Sequence, residues 1–290
     1  MKTLYRIKTR YNKARMIYFS NAKINIGLQV TGRRPDGYHN IETVFYPVDL
    51  SDILEITPLH DKPGDYTFLN TGNKIDVEPS DNLCIRAWRE LSKIRHLPGA
   101  SIHLHKVIPS GAGLGGGSSN ATYVLRALNE LFELEIDTNE LDVLASRIGS
   151  DCPFFIHNRP LLAKGRGNVF EPVDIDLSGT HILIVHPGIP VSSAWAYKGI
   201  NIKEHHESLK KIIGSDPVDW QENIFNDFED RVFEVYPAIR LIKEEMLAQG
   251  AFYSSMTGSG SAVYGLYEKE PDADWFKKEY HEMFVWVGVL

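Results

Sequence analysis

Residues 109–121 read PSGAGLGGGSSNA, the most glycine-rich segment of the chain. Five of the seven positions from Gly111 to Gly117 are glycine, which lets a backbone approach a ligand and adopt left-handed angles. Residues 101–108 before it suit a half-buried strand, and apolar residues recur after it at helical spacing, which predicts a helix from near Ser118. A glycine loop that opens a helix presents free amides and the positive end of the helix dipole. The stretch therefore predicts an anion site, and phosphate is the natural anion.

Two familiar phosphate motifs can be tested against this loop. Gly111 to Gly116 satisfy G-x-G-x-x-G, so a dinucleotide-binding oxidoreductase is formally possible. However, the preceding strand includes polar residues, and the acidic candidates Glu135 and Asp137 follow no convincing strand. The ATP-binding Walker motif fails because Gly117 stands where its lysine should be. A flexible linker is also a poor description of a loop between a strand and a periodic helix.

Composition narrows the class of protein. The chain has 290 residues, 43% of them hydrophobic and 24% charged, and no apolar run approaches the length of a membrane span. Its formal charge of −7 comes with scattered acids, which argues against nucleic-acid binding. Cys84 and Cys152 are far apart and read as reduced thiols. With no signal-peptide core at the start, we expect a cytoplasmic protein without a membrane or nucleic-acid partner.

Strand and helix patterns alternate irregularly along the chain, which indicates an α+β fold. Residues 171–180, EPVDIDLSGT, separate two apolar segments. We therefore predict an N-terminal domain over residues 16–172, with the glycine loop, and a C-terminal domain over 173–290. For residues 1–15, a disordered arm and a misassigned start both remain open.

Several elements can be placed within this plan. Strands are expected at 17–30, 41–48 and 53–58, with a Pro-Asp-Gly turn after the first. A helix that Asp81 could cap is expected to run to about Ile94. Another should run from Pro237 to Gln249 and stop at Gly250.

The glycine loop closely resembles the second motif of the kinase superfamily named for galactokinase, homoserine kinase, mevalonate kinase and phosphomevalonate kinase, the GHMP kinases. The resemblance extends to residues 20–50, to RIGSDCPFF at 147–155 and to MTGSGSAVYGLY at 256–267. AKIN at 22–25 and DGYH at 36–39 look like the branch that acts on a polyol linked to cytidine diphosphate. The resemblance implies an N-terminal domain like the second domain of ribosomal protein S5, a ferredoxin-like C-terminal domain, and a site between them.

The activity that the resemblance implies is transfer of the γ-phosphate of ATP to the 2-hydroxyl of a methylerythritol that carries cytidine diphosphate, in the non-mevalonate pathway to isoprenoids. Another small-molecule kinase of the superfamily and a catalytically silent nucleotide-binding regulator are the alternatives. Lys23 and Asp151, which match the catalytic pair, argue against the silent regulator. Monomer and homodimer both remain open.

The resemblance makes Asp151 the general base for the substrate hydroxyl, and Lys23 the cation that orients it and stabilises developing negative charge. The sequence around Asp151 offers independent support. It precedes Cys152, Pro153 and two phenylalanines, where an unpaired buried carboxylate would be costly. A lysine partner would explain this aspartate, and so would a cap on a helix or turn.

Ligand contacts are also implied by the resemblance. Tyr38 and His39 would hold the cytidine ring by stacking and by edge hydrogen bonds, and Asn25 would contact the substrate. Tyr197 is the candidate for a second stacking wall, with Trp195 as its competitor. Thr257 to Ser261 resemble the third motif, although a tight turn into the next strand would read the same.

On the nucleotide side, the predicted ATP contacts are the glycine loop and two residues upstream of it. These residues are Asn82, Lys106, Pro109, Ser110, Gly111, Ala112, Gly113, Leu114, Gly115, Gly116, Gly117, Ser118 and Ser119. The phosphates of ATP carry several negative charges, so Mg²⁺ is expected as well. Ser118 is a possible metal contact, and no other metal ligand is assigned.

Overall fold

A computed structural model describes residues 15–203 and 207–290. Residues 1–14 lie outside the described residues, so the expectation of a disordered arm or a misassigned start over residues 1–15 falls almost entirely outside them. Within the described ranges, no helix is long and apolar enough to cross a membrane. The chain folds into two sheets with helices packed on them, so the expectation of a mixed helix and sheet structure is confirmed.

The first half of the chain forms a six-stranded sheet and four helices. The strands are β1 (Met16–Arg33), β2 (His39–Leu59), β3 (Tyr66–Gly72), β4 (Gly99–Lys106), β5 (Leu161–Lys164) and β6 (Val169–Pro172). The helices are α1 (Leu83–Ser92), α2 (Gly116–Leu131), α3 (Thr138–Ile148) and α4 (Cys152–His157). The strand order is β3-β4-β2-β5-β6, β1 pairs with β2, and only the β3–β4 pair among these is parallel.

The second half forms a four-stranded antiparallel sheet in the order β10-β7-β9-β8. Its strands are β7 (His181–His186), β8 (Tyr253–Met256), β9 (Val263–Tyr267) and β10 (Phe284–Val289). Its helices are α5 (Ser193–Lys198), α6 (Leu209–Ile212), α7 (Trp220–Asn223), α8 (Glu229–Val235), α9 (Pro237–Ala248) and α10 (Ala273–Glu279), with a 3₁₀ turn over Pro217–Asp219.

One long strand replaces the two shorter ones expected after the Pro-Asp-Gly turn. The segment between them, Asp49 to Asp52, is polar except for the buried Leu50 and marks a register shift, where Asn21 pairs with Ser51 and Ala22 with Val48. Because β2 bulges there while its pairing with β1 continues, the alternation of apolar residues is broken although the strand is not. Another boundary difference is at α1, where Asn82 and not Asp81 is the cap, accepting a hydrogen bond from the Cys84 amide at 3.0 Å.

The core explains how the two sheets are held together. One apolar cluster lies between the first sheet and helices α1 to α3 and includes Leu54, Ile102 and Leu128. A second cluster joins the two sheets, with Ile24 of β1 against Ile184 and Tyr264 of β7 and β9. β1 is therefore buried between the halves, and a polar side chain on it can serve a site at their junction.

Candidate active site

The glycine loop adopts the backbone that its composition predicts. Gly111, Gly113 and Gly115 have φ angles of +70°, +79° and +69°, in the left-handed region that favours glycine. Helix α2 then begins at Gly116, two residues before the predicted start at Ser118. No side chain caps its first turn, so the backbone amides there are available to an anion.

A buried ion pair packs against the start of this helix. The Lys106 ammonium donates to Asp52 at 2.5 Å, and the two side chains are 3% and 0% exposed. Asp52 also accepts from the Val107 amide at 2.6 Å and from the Asn120 amide group at 2.8 Å. A Cβ on Gly116 would come within 2.9 Å of the Lys106 nitrogen. Lys106, a predicted ATP contact, thus lies beneath the loop with its charge directed to Asp52, and sequence reasoning missed Asp52.

The predicted third motif touches the loop from the C-terminal half. A Cβ on Gly113 would lie 2.0 Å from the Thr257 carbonyl oxygen, so the two backbones are in direct contact. The Thr257 hydroxyl donates to the Gly113 carbonyl at 3.1 Å, and the Ala262 amide donates to the Ala112 carbonyl at 3.2 Å. The turn is therefore part of the site as well as the entry to β9.

Asn226 holds that turn in place, and sequence reasoning missed it. Its buried amide group donates to the carbonyls of Met256 at 2.7 Å and Gly258 at 2.8 Å. The same segment is fixed to β1, because the Leu28 amide donates to the Phe225 carbonyl at 2.9 Å. A lone asparagine between short helices carries no periodic signal, so only the fold shows its position.

Lys23 and Asp151 come together at the mouth of the loop. The lysine nitrogen lies 3.8 Å from Oδ2 of Asp151 and donates to the Gly113 carbonyl at 2.8 Å and to Oδ1 of Asn25 at 2.5 Å. Burial lowers the pKa of Lys23, and the nearby charge of Asp151 opposes that shift. Asp151 precedes α4 but caps none of its amides, so its side chain faces the lysine and does not act as a helix cap.

A cavity of about 970 Å³ opens in front of this pair. All four predicted substrate contacts line it, namely Asn25, Tyr38, His39 and Tyr197. Its walls also carry the cations Lys23, Arg33, Arg34, Arg166 and Lys198, whereas Asp151 is the carboxylate that lines it in the part of the chain that the structure describes. The cavity is locally positive in a chain of formal charge −7, which suits a phosphorylated ligand.

Two aromatic rings of the cavity stack on each other. The rings of His39 and Tyr197 lie 5.1 Å apart and are nearly parallel at 16°. Burial, with a smaller effect of Arg33, lowers the pKa of His39, and its Nε2 is buried without a hydrogen-bond partner among the described residues. Such an atom at a ligand cavity suits a hydrogen bond to a ligand.

Tyr197 and Trp195 occupy different surroundings. Tyr197 lines the cavity, and burial, followed by the charge of Asp151, raises the pKa of its phenol to about 12. Trp195 instead packs on Tyr236, with ring centres 6.0 Å apart, and beneath the Arg231 guanidinium at 4.3 Å. Of the two candidates for a second wall, the structure brings Tyr197 to the cavity.

The remaining predicted contacts lie beside the loop. Asn82 caps α1, whose first residue Leu83 would be 3.6 Å from a Cβ on Gly117. The Ser118 hydroxyl would lie 3.8 Å from a Cβ on Gly149, near the start of α4. Among residues 15–203 and 207–290, no group of three or more histidine, cysteine, aspartate or glutamate side chains could hold a metal ion. A metal here would depend on the phosphates of a nucleotide for most of its ligands.

Comparison with known proteins places these features in a family. The family model for the GHMP kinases N terminal domain matches residues 82–159, and the model for the GHMP kinases C terminal domain matches residues 203–285. A protein of Bacteroides thetaiotaomicron named 4-diphosphocytidyl-2-C-methyl-D-erythritol kinase is 49% identical over 265 residues, which cover 90% of this chain and 96% of the relative. A protein of the same name from Porphyromonas gingivalis is 45% identical over 277 residues and covers 95% of this chain and 100% of its own.

Solved structures agree with the sequence relatives. A crystal structure of 4-(cytidine 5'-diphospho)-2C-methyl-D-erythritol kinase superposes with a TM-score of 0.80 at 31% identity and covers 94% of this chain and 98% of its own. Mevalonate kinase from Methanococcus jannaschii superposes with a TM-score of 0.69 at 15% identity, covering 96% of this chain and 99% of its own. The second likeness is one of fold alone.

Proposed function

The chain belongs to the GHMP kinases and, within them, to the family of 4-diphosphocytidyl-2-C-methyl-D-erythritol kinases, and from this membership we propose its reaction. The protein transfers the γ-phosphate of ATP to the 2-hydroxyl of 4-diphosphocytidyl-2-C-methyl-D-erythritol and releases the 2-phosphate and ADP. This is a step of the non-mevalonate isoprenoid pathway. The observation that carries the proposal is the meeting of Lys23, Asp151 and Gly113 at one end of a cavity that Tyr38 and His39 also line.

In this reaction Asp151 accepts the proton of the substrate hydroxyl as general base. Its side chain is 34% exposed and faces the cavity, so a hydroxyl can reach it. Lys23 is held by Gly113 and Asn25, and its ammonium orients the carboxylate and opposes the negative charge that develops on the transferred group. The pair supplies a base and a cation within 4 Å of each other, and phosphoryl transfer otherwise needs mainly positioning and electrostatic stabilisation.

The glycine loop binds the phosphates of ATP through the amides at the start of α2. Three left-handed glycines and the uncapped helix start fit an anion of this size. Mg²⁺ bound to ATP would neutralise part of the phosphate charge, with Ser118 as the candidate contact from the chain. Asn82 and Lys106 flank the loop on the α1 and β4 sides, and Lys106 acts through its position beneath Gly116.

The cytidine group occupies the part of the cavity that Tyr38, His39 and Tyr197 line, and Asn25 contacts the substrate near Lys23. An aromatic face suits the flat base, and the unpartnered Nε2 of His39 suits its polar edge.

The two domains on either side of the cavity comprise residues 16–172, of the type of the second domain of ribosomal protein S5, and residues 173–290, of ferredoxin-like type. The last strand of the first sheet ends at Pro172 and the first strand of the second sheet begins at His181, which supports this division. We place the reaction in the cytoplasm.

Coupled measurement of ADP release tests the proposal. Purified protein with ATP and Mg²⁺ should turn over 4-diphosphocytidyl-2-C-methyl-D-erythritol and should not turn over mevalonate or homoserine at comparable substrate concentration. If the protein turned over one of those acceptors and not the cytidine compound, the proposed substrate would be wrong, and the protein would be a GHMP kinase of another specificity. Tight ATP binding without turnover of any acceptor would favour the silent regulator.

A further inference from the structure

Arg166 lies in a short turn at the rim of the cavity. The turn joins β5 to β6, and its flanking residues Gly165 and Gly167 have φ angles of +66° and +88°. The Gly165 carbonyl accepts from the Ile41 amide at 2.8 Å, which ties the turn to β2 two residues after His39. The backbone of Arg166 is thereby fixed beside the predicted base contacts, while its side chain is exposed.

The guanidinium of Arg166 occupies a face of Tyr38. Its central carbon lies 3.5 Å from the centre of the Tyr38 ring, and both residues line the cavity. A pyrimidine base that stacked on this face would need the space that the guanidinium fills. Because a cation–π contact at an exposed site is weak, a base can displace it.

Displacement leaves a positive charge that needs a new partner. The nearby carboxylate of Asp36 is already engaged by the Arg34 guanidinium, at 3.1 Å. Among residues 15–203 and 207–290, Arg166 forms no ion pair within 4 Å, and its charge acts on the Asp36 carboxylate only at longer range. A guanidinium matches two phosphate oxygens through parallel N–H donors, and the diphosphate of the substrate is joined to the base that displaces it.

We infer that Arg166 determines specificity for the diphosphate of the cytidine ligand. It leaves the ring of Tyr38 to the base and binds the diphosphate oxygens in exchange. This inference rests on the proposed function and deepens it. Its consequence is selectivity, because a free nucleoside must displace Arg166 without offering the guanidinium another partner, whereas a nucleoside diphosphate offers one.

Calorimetric titration of the protein with cytidine and with cytidine diphosphate, without ATP, tests the exchange. In Arg166→Met the affinity for cytidine diphosphate should fall about tenfold, while the affinity for cytidine stays the same or rises two- to threefold. Arg126→Met is the matched control, because Arg126 also lies over a tyrosine ring, that of Tyr123 at 5.4 Å, on helix α2 outside the cavity. It should bind both ligands as the wild type does.

Two results would overturn the inference while the proposed function stands. In one, the wild type binds both ligands and Arg166→Met binds cytidine diphosphate equally well. In the other, Arg166→Met loses affinity for cytidine and cytidine diphosphate by the same factor. The guanidinium would then contribute to binding of the base at Tyr38 and not to binding of the diphosphate. If the wild type binds neither ligand, the cytidine specificity of the proposed function is wrong, and the inference fails with it.

Discussion

The ammonium of Lys23 lies 3.8 Å from the carboxylate of Asp151, and the lysine side chain is 3% exposed where that of the aspartate is 34% exposed. The lysine is therefore the fixed partner, held by the Gly113 carbonyl and by Asn25, and the carboxylate faces the cavity. A general base must reach the substrate hydroxyl, whereas an orienting cation need not. This difference in exposure supports the division of roles between the two residues.

Asp151→Asn should lower kcat by a factor of about 10² to 10⁴, because the amide cannot accept the hydroxyl proton. ATP binding, measured by calorimetry, should stay near that of the wild type, since the glycine loop is untouched. Asp142→Asn is the control. Asp142 lies on α3 outside the cavity, and its Oδ2 is 3.0 Å from Nε2 of His157. An unchanged kcat in Asp151→Asn would remove this residue as the base.

Gly113→Ala should damage the site more than Gly111→Ala. Both positions have left-handed angles, so each alanine costs about 1–2 kcal/mol of unfolding free energy. Only at Gly113 does the new Cβ meet the Thr257 carbonyl, at 2.0 Å, whereas nothing lies within 4 Å at Gly111. Urea unfolding and the KM for ATP should both show the larger change in Gly113→Ala. Equal effects in the two variants would contradict a packed contact between the loop and the turn.

Asn226→Ala should destabilise the protein and impair the turn at Gly258. It removes a donor from the Gly258 carbonyl and the Oδ1 acceptor from the Phe228 amide, at about 1–3 kcal/mol for each buried group left unsatisfied. The Met256 carbonyl loses one donor but keeps the Ser255 hydroxyl at 3.3 Å. Asn223→Ala, at an exposed residue that bonds the Asp219 carbonyl at 2.8 Å, should change the unfolding free energy by about 0.5 kcal/mol or less. Denaturant unfolding compares the two variants. A loss in Asn226→Ala no greater than in Asn223→Ala would mean that the turn holds its shape without it.

Tyr197→Leu should raise the KM for the cytidine substrate about tenfold, since stacking of a base on an aromatic ring is worth about 1–3 kcal/mol. The KM for ATP should not change, because we propose that the cytidine group, and not ATP, contacts this ring beside His39. Trp195→Leu is the matched control, since its ring packs on Tyr236. A larger rise in Trp195→Leu would make the tryptophan the second wall.

Stability should fall as the pH drops below about 6.5, the ordinary pKa of histidine. Burial lowers the pKa of both His39 and His186. Below pH 6.5 the unfolded chain therefore binds protons that the folded chain does not, so the stabilisation present above that pH is lost toward the folded-state pKa. His39→Gln and His186→Gln should each flatten the fall in unfolding free energy between pH 7.5 and 5.5. An unaltered slope in either variant would contradict the prediction for that histidine.

The features that sequence predicts well are those whose cause is local. The glycine loop is one, because closely spaced glycines report left-handed angles directly, and helix α9 is another, because Pro237 opens it and Gly250 follows its end. The sequence predicts the start of α2 at Ser118, two residues late, because glycine is a poor helix former. The buried Lys106 ammonium lies close against Gly116, so the fold decides that boundary and requires a glycine there.

Features that depend on distant partners escaped sequence reasoning. Asp52 binds the Lys106 ammonium and the Val107 and Ile108 amides, all more than 50 positions away. In the sequence it is one of several polar residues between two apolar stretches, and nothing local marks it out. Asn226 bonds carbonyls 30 and 32 positions away. Polar groups of this kind are chosen by three-dimensional contact, which neither periodicity nor composition records.

The contact of Thr257 with Gly113 also sets an order of events during synthesis. The hydrogen bond spans 144 positions, so the glycine loop leaves the ribosome long before its partner does. A chain that stopped before Thr257 would hold Lys23, Asp151 and the whole loop, yet it would lack the hydroxyl and backbone that pack on Gly113. The contacts of the loop are therefore completed only after Thr257 has been made, and a truncated product that retains every proposed catalytic residue should be inactive.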